Sequence, residues 1–287
     1  MPALNYVHPE TLEQALALLA DDSHKAIPVA GGSALTRGSR RQAEIFVDIG
    51  ACGLGGLRQQ DQQFVLGAGL TCSDIVRAPL PGATGQLLTE VADGIATQPL
   101  RNVITLGGNI VNMVAWADFP VALLALDANV SVARHGHETE IWPMQRLVSE
   151  HPLKALPPGA LVTQLWLPQH DAGWGTNYRR FRQSAVDYSL ASVACVAEIK
   201  DNKINDIAIA AGAIAPRPQR CSQAEKMLLN HVASSTNISQ AAAAALGELR
   251  VTPDSRMDEA TRRTILQVEI RRAIDTAVQR AKDNQNN

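Results

Sequence analysis

The sequence is poor in the features that mark a secreted, membrane-spanning or metal-carrying chain. Its four cysteines, Cys52, Cys72, Cys195 and Cys221, are scattered with no Cys-x-x-Cys pair. That disfavours a disulfide framework, and equally a zinc or iron–sulfur site held by this chain alone. A basic excess is missing: the net charge is −2, where a nucleic-acid binder normally carries surplus Lys and Arg. No uninterrupted apolar run approaches the ~20 residues of a membrane helix. The start, Met1-Pro2-Ala3-Leu4-Asn5, lacks the basic and apolar regions of a secretion signal, so a cytoplasmic location is the expectation. No Gly-x-Gly-x-x-Gly is completed at either glycine pair, which disfavours a nicotinamide-type Rossmann domain. Internal repeats and low-complexity segments are absent as well.

What is present is an ordinary globular composition, 46% hydrophobic and 19% charged over 287 residues. That length accommodates two domains of ~100–150 residues. Pro9 to Leu19 carries Leu12, Ala15, Leu16 and Leu19 on one helical face, and residues 25–29, 43–49 and 64–68 read as strands, with 59–63 a polar turn. Thr71 to Asp74 has N-cap chemistry, and 86–95 reads as a helix ending near Gly94. Residues 121–128 read as a buried helix with Pro120 in its first turn. Residues 129–133 and 138–142 form a hairpin around Arg134 to His137. Past the turn-rich 156–159 and 170–175, the pattern is strands at 161–167, 178–182, 192–200 and 204–214, then helices at 222–230, 239–249 and 260–281. A polar tail, 282–287, closes the chain.

Two glycine pairs stand out. Val29-Ala30-Gly31-Gly32-Ser33-Ala34-Leu35 follows one strand, and Thr105-Leu106-Gly107-Gly108-Asn109 lies between the apolar pairs Val103-Ile104 and Ile110-Val111. The second reads as strand, tight turn and re-entry. Paired glycines let a bulky group approach bare N–H donors, and successive amides can form an anion-binding nest. Two such loops point to a pyrophosphate gripped from both sides, although either pair alone is also a plain turn.

Gln98-Pro99-Leu100-Arg101-Asn102, Thr105 to Ile110, Ala117-Asp118-Phe119-Pro120 and Leu123 to Ala128 follow one another closely. With Ala30 to Ser33 upstream, this ordered set resembles the FAD-binding (medium) subunit of the molybdenum hydroxylases, the xanthine dehydrogenase and carbon monoxide dehydrogenase flavoproteins. Arg182, Asp187 to Ala194 and Gly212 to Pro218 resemble that family's C-terminal domain. The resemblance implies an α+β fold of the vanillyl-alcohol-oxidase/p-cresol-methylhydroxylase type. Residues 1–170 would be the FAD-binding region, in subdomains of about 1–55 and 56–170. Residues 176–281 would form a three-stranded antiparallel sheet with a helical bundle. It further implies that Val29, Ala30, Gly31, Gly32, Ser33, Ala34 and Leu35, with Thr105, Gly107, Gly108 and Asn109, meet the FAD pyrophosphate through amides and hydroxyls. Asp118 would bond the ribityl hydroxyls, with Leu100, Asp187 and Tyr188 near the isoalloxazine.

The implied role is electron outlet of a heteromeric complex. Electrons would arrive from an iron–sulfur (2Fe-2S) subunit, substrate oxidation being left to a molybdopterin-binding large subunit, and leave to NAD, a quinone or oxygen. No catalytic acid–base pair and no metal site belong to this chain. Ser33-Ala34 and Val114-Ala115 depart from the family pattern and remove polar contacts, each worth roughly 1.5–3 kcal/mol if charged. They keep open an assembly or scaffold subunit with weak or lost FAD binding, while a free-standing FAD oxidase is the remoter alternative. Asp118 also suits an N-cap, Asp187 could pair with Arg180 or Arg182, and Tyr188 could be a packed aromatic. His135 and His137 read as surface histidines. Arg37, Arg40 and Arg41 read as a solvated loop, or as a contact to phosphate or a partner subunit.

Overall fold

In the computed structural model, residues 5–35, 43–184 and 187–285 are described. Arg37, Arg40 and Arg41 lie outside them. Strand β1 (Asn5–Val7), helix α1 (Leu12–Ala20), β2 (Ala26–Val29) and β3 (Ile45–Asp48) build a small parallel sheet in the order β1-β3-β2. The helix begins at Leu12, not at Pro9, because Thr11 and Gln14 form a capping box: the Gln14 amide donates to the Thr11 hydroxyl at 3.2 Å. Ala15 is buried with Val47 of β3, and Leu16 with Ala133 and Leu161 of the sheet that follows.

The next sheet has five antiparallel strands in the order β4-β5-β8-β6-β7. Its chain order is β4 (Leu57–Gln60), β5 (Gln63–Gly67), α2 (Cys72–Arg77), α3 (Gly82–Gly94), α4 (Gln98–Arg101), α5 (Leu106–Asn112), α6 (Phe119–Ala125), β6 (Asn129–Ala133), β7 (Glu140–Pro143), α7 (Met144–Leu147), α8 (Pro152–Ala155) and β8 (Leu161–Pro168). The β4–β5 turn is tighter than expected, with only Asp61 and Gln62 at positive φ. Thr71 caps α2 together with Asp74, as its sequence foretold. Every residue of α6 is buried, which explains its all-round apolar sequence.

The third sheet runs β9 (Trp174–Phe181), β10 (Ala191–Lys200), β11 (Lys203–Gly212) and β12 (Gln219–Arg220), all antiparallel. It therefore has four strands rather than three, the extra one being two residues long. Asp201 and Asn202 turn β10 into β11 at positive φ, the backbone of a two-residue hairpin. One face (Ala194, Val196, Ala208, Ala210) joins the core around α6, and the other (Cys195, Ile207, Ile209) meets the helices that follow. These are α9 (Ser222–Leu228), α10 (Ser235–Glu248) and α11 (Glu259–Gln285). Helix α11 continues to Gln285, past Lys282, where a polar tail was expected to begin.

Candidate cofactor cleft

The first glycine segment leaves β2 at the buried Val29. A Cβ on Gly31 would sit 1.4 Å from the Val103 carbonyl oxygen, so only a glycine lets this loop lie against the segment before α5. Gly32 has φ +68°, the left-handed region that glycine enters without strain. The Leu35 amide closes the turn on the Gly32 carbonyl at 3.0 Å. Among the described residues, the amides of Gly31, Gly32, Ser33 and Ala34 meet no protein acceptor. Free N–H groups on a concave turn are what an anionic oxygen requires.

The second segment differs from the strand, turn and re-entry expected of it. Thr105 is the N-cap of α5, its hydroxyl accepting the Gly108 amide at 3.2 Å, and Gly107 and Gly108 form the first helical turn with no positive φ. The Leu106 amide donates to the Leu70 carbonyl, the Gly107 amide to Ala68 and the Asn109 amide to Thr105. These amides are thus engaged inside the protein rather than bare. Gly107 is required by packing, since a Cβ there would lie 2.8 Å from that of Ala68. What the segment presents is side chain. The Asn109 Oδ1 is buried without a partner, an orphan that a buried polar group does not normally remain.

Asp118 closes the far wall. It occupies the N-cap position of α6, as its sequence suggested, but its side chain makes no capping hydrogen bond. Its Oδ1 instead accepts the Tyr178 hydroxyl at 2.6 Å, and its Oδ2 lies 3.5 Å from the Arg180 guanidinium. Burial raises its proton affinity, opposed by the charge of Arg180, the Tyr178 hydrogen bond and the charge of Arg182. Leu100 and Tyr188 are exposed at the mouth, and Tyr188 packs on Trp116 with ring centroids 4.5 Å apart. Asp187 pairs with Arg256 at 3.7 Å, not with Arg180 or Arg182. His135 pairs with Glu13 at 2.8 Å, and neither lines this cleft.

All fifteen residues singled out from the sequence line one cleft of about 930 Å³. Sequence reasoning missed Trp116, Arg180 and Lys154, which join it from separate elements. Among the described residues, no hydrogen bond or ion pair engages the side chains of Lys25, Lys154 or Arg182, all of which line the cleft. Free amides and unpaired cations on predominantly apolar walls suit an elongated anionic ligand, while the orphaned Asn109 Oδ1, an acceptor, calls for a donor group on that ligand. No group of three or more His, Cys, Asp or Glu among the described residues could hold a metal, and none of their helices is long and apolar enough to cross a membrane.

Residues 2–170 match the family described as the FAD binding domain in molybdopterin dehydrogenase. The chain belongs to that family. Residues 176–277 match the C-terminal domain of the CO dehydrogenase flavoprotein. The chain is 31% identical to the alpha subunit of the 6-hydroxypseudooxynicotine dehydrogenase complex of Paenarthrobacter nicotinovorans, over 98% of this chain and 96% of that one. It is 26% identical to the carbon monoxide dehydrogenase medium chain of Afipia carboxidovorans, over 98% and 99%. The solved carbon monoxide dehydrogenase of Hydrogenophaga pseudoflava superposes with a TM-score of 0.91 at 26% identity, over 98% of this chain and 99% of that one. The cofactor is therefore FAD, the fold is the FAD-binding α+β fold expected, and the chain is the FAD-binding subunit of a molybdenum hydroxylase-type oxidoreductase.

Proposed function

We propose that this subunit takes electrons from an iron–sulfur (2Fe-2S) subunit and hands them to NAD or another acceptor, the substrate being oxidised on a molybdopterin-binding subunit. The observation that carries the reading is the row of amides from Gly31 to Ala34 that meet no acceptor among the described residues, in a cleft also lined by Thr105 and Asn109. Residues 1–170 hold the cofactor in two subdomains, and residues 176–281 form the domain that supplies Tyr178, Arg180 and Tyr188. When bound, FAD supplies the capacity to accept electrons singly and release them in pairs.

The chain's own contribution is to bind and orient. Amides 31–34 would donate to the pyrophosphate oxygens, and the Thr105 hydroxyl and the Asn109 Nδ2 would donate to them from the other side, leaving the orphaned Asn109 Oδ1 to accept from a cofactor hydroxyl. The grip is thus backbone on one wall and side chain on the other. Because the first loop works through its backbone, Ser33-Ala34 costs little. Lys25, Lys154 and Arg182 set a positive field that favours a dianionic linker. Asp118 accepts a hydroxyl of the ribityl chain, while Leu100, Trp116, Asp187 and Tyr188 surround the flavin end.

The test is reconstitution of the complex with this subunit stripped of FAD and then reloaded. Substrate should still reduce the iron–sulfur centres of the stripped complex, while acceptor reduction disappears and returns with FAD. Acceptor reduction at the full rate without FAD would leave the subunit an assembly role only.

A further inference from the structure

Resting on the FAD reading above, we propose that Tyr178 is the positioning residue of the site, fixing the carboxyl of Asp118 so that its unused acceptor positions serve a hydroxyl of the cofactor. Nothing in the motif around Asp118 points to Tyr178. It lies 60 residues further along the chain, on β9 of the third sheet.

The geometry is built from both domains. Tyr178 and Arg180 alternate onto one face of β9, the face turned to α3 and α6. The Tyr178 hydroxyl donates to Asp118 Oδ1 at 2.6 Å, and the phenol oxygen is itself hydrogen-bonded by Ser192 of β10, which is 1% exposed. The Tyr178 backbone is held too: its amide donates to Glu90 at 3.2 Å, and Glu90 is pinned by Arg280 at 2.6 Å. Arg180 donates to the Gly94 carbonyl at 2.5 Å, at the C-terminus of α3, where the helix dipole favours a cation. A Cβ on Gly94 would lie 1.3 Å from that guanidinium, so glycine gives Arg180 its seat.

Asp118 is thus met by Tyr178 and Arg180 from β9, by Arg182 just beyond it, and by Cys72 of α2, whose thiol burial pushes up to about 12. An ionised carboxylate offers roughly four acceptor positions. Tyr178 takes one and Arg180 lies beside the other oxygen, which leaves capacity for a donor entering the cleft that Asp118 lines. Without the Tyr178 hydroxyl the carboxyl is free to turn, and its anion loses a stabilising donor. Affinity for FAD and the pH at which Asp118 takes up a proton then change together.

The experiment titrates the full-length, FAD-stripped chain with FAD between pH 4.5 and 9, following flavin fluorescence. The wild-type affinity should fall on the acid side, where Asp118 is protonated. Tyr178→Phe keeps the ring and should weaken binding at neutral pH roughly tenfold, and move that fall up by about one pH unit. Asp118→Asn should bind weakly throughout and lose the fall altogether. Ser192→Ala should shift the profile the same way by less, and it carries the test if Tyr178→Phe does not fold. Variants Y178F and S192A within twofold of wild type, with an unmoved profile, would overturn the proposal, as would an acid fall that persists in D118N. A wild-type chain that binds no FAD at any pH would instead overturn the reading on which the proposal rests.

Discussion

Replacing Gly31 by alanine tests the cofactor grip at its tightest point. The added Cβ would lie 1.4 Å from the Val103 carbonyl oxygen, and side-chain carbons essentially never come closer than 3.0 Å to such an atom. The two segments must therefore part by about 1.6 Å, the difference between those distances. A hydrogen bond to a charged group contributes roughly 1.5–3 kcal/mol. Displacing the loop by that distance breaks at least two of its amide contacts to the pyrophosphate, a loss of about 3–6 kcal/mol. The dissociation constant for FAD should rise roughly two to four powers of ten. Gly32→Ala is the matched comparison. Its φ of +68° makes alanine strained, but the nearest atom to the new Cβ is 3.6 Å away, so only the left-handed penalty of about 1–2 kcal/mol applies. Fluorescence titration of stripped protein gives the affinities, and thermal melts of the FAD-free chains separate lost binding from lost folding. G31A binding FAD within threefold of wild type, or G32A being the worse of the two, would refute the reasoning.

His170 is stacked on Trp174 at 3.9 Å, and burial holds its ring down to about 4 from an ordinary 6.5. It stays neutral in the fold while the unfolded chain takes up a proton. Its stability contribution is therefore complete above pH 6.5 and is lost as pH falls toward 4, by at most roughly 3 kcal/mol. Urea denaturation across that window should show the slope, and His170→Phe should flatten it. Arg262, 4% exposed, donates to the carbonyls of Leu190, Thr252 and Ala213. Arg262→Met should cost at least about 3 kcal/mol in urea unfolding, since it orphans three carbonyls at roughly 1–3 kcal/mol each; a loss under about 1 kcal/mol would contradict that accounting. All four cysteines are buried free thiols, and burial raises the proton affinity of each. A thiol reagent should label none of them in the native chain and all four in denaturant.

Much of the fold was legible because its patterns are local. Thr71 with Asp74 announced the start of α2, Pro120 the start of α6, and the break between the strand patterns at 192–200 and 204–214 the turn from β10 to β11. β4 escaped notice because its four residues are all exposed and show no alternation, and β12 because two residues carry no period. The second glycine pair was misread for a physical reason. Gly-Gly usually signals a turn, but here Thr105 caps a helix and both glycines are needed at its first turn, Gly107 by the closeness of Ala68. Asp118 misled in part: it stands at the N-cap of α6, with Pro120 in the first turn, but its carboxylate does not cap the helix. Its true partners, Tyr178 and Arg180, come from β9, some 60 residues away, and no spacing within one segment reveals a contact of that kind. Asp187 shows the same limit, its partner Arg256 lying just ahead of α11.

The most direct test of the central claim is the visible spectrum of the purified chain, followed by denaturation and identification of whatever is released. Flavin absorption bands, with one FAD released per chain, are the predicted result. A colourless chain that also fails to take up added FAD would contradict the account, and the cleft between Gly31 and Asn109 would then need another ligand.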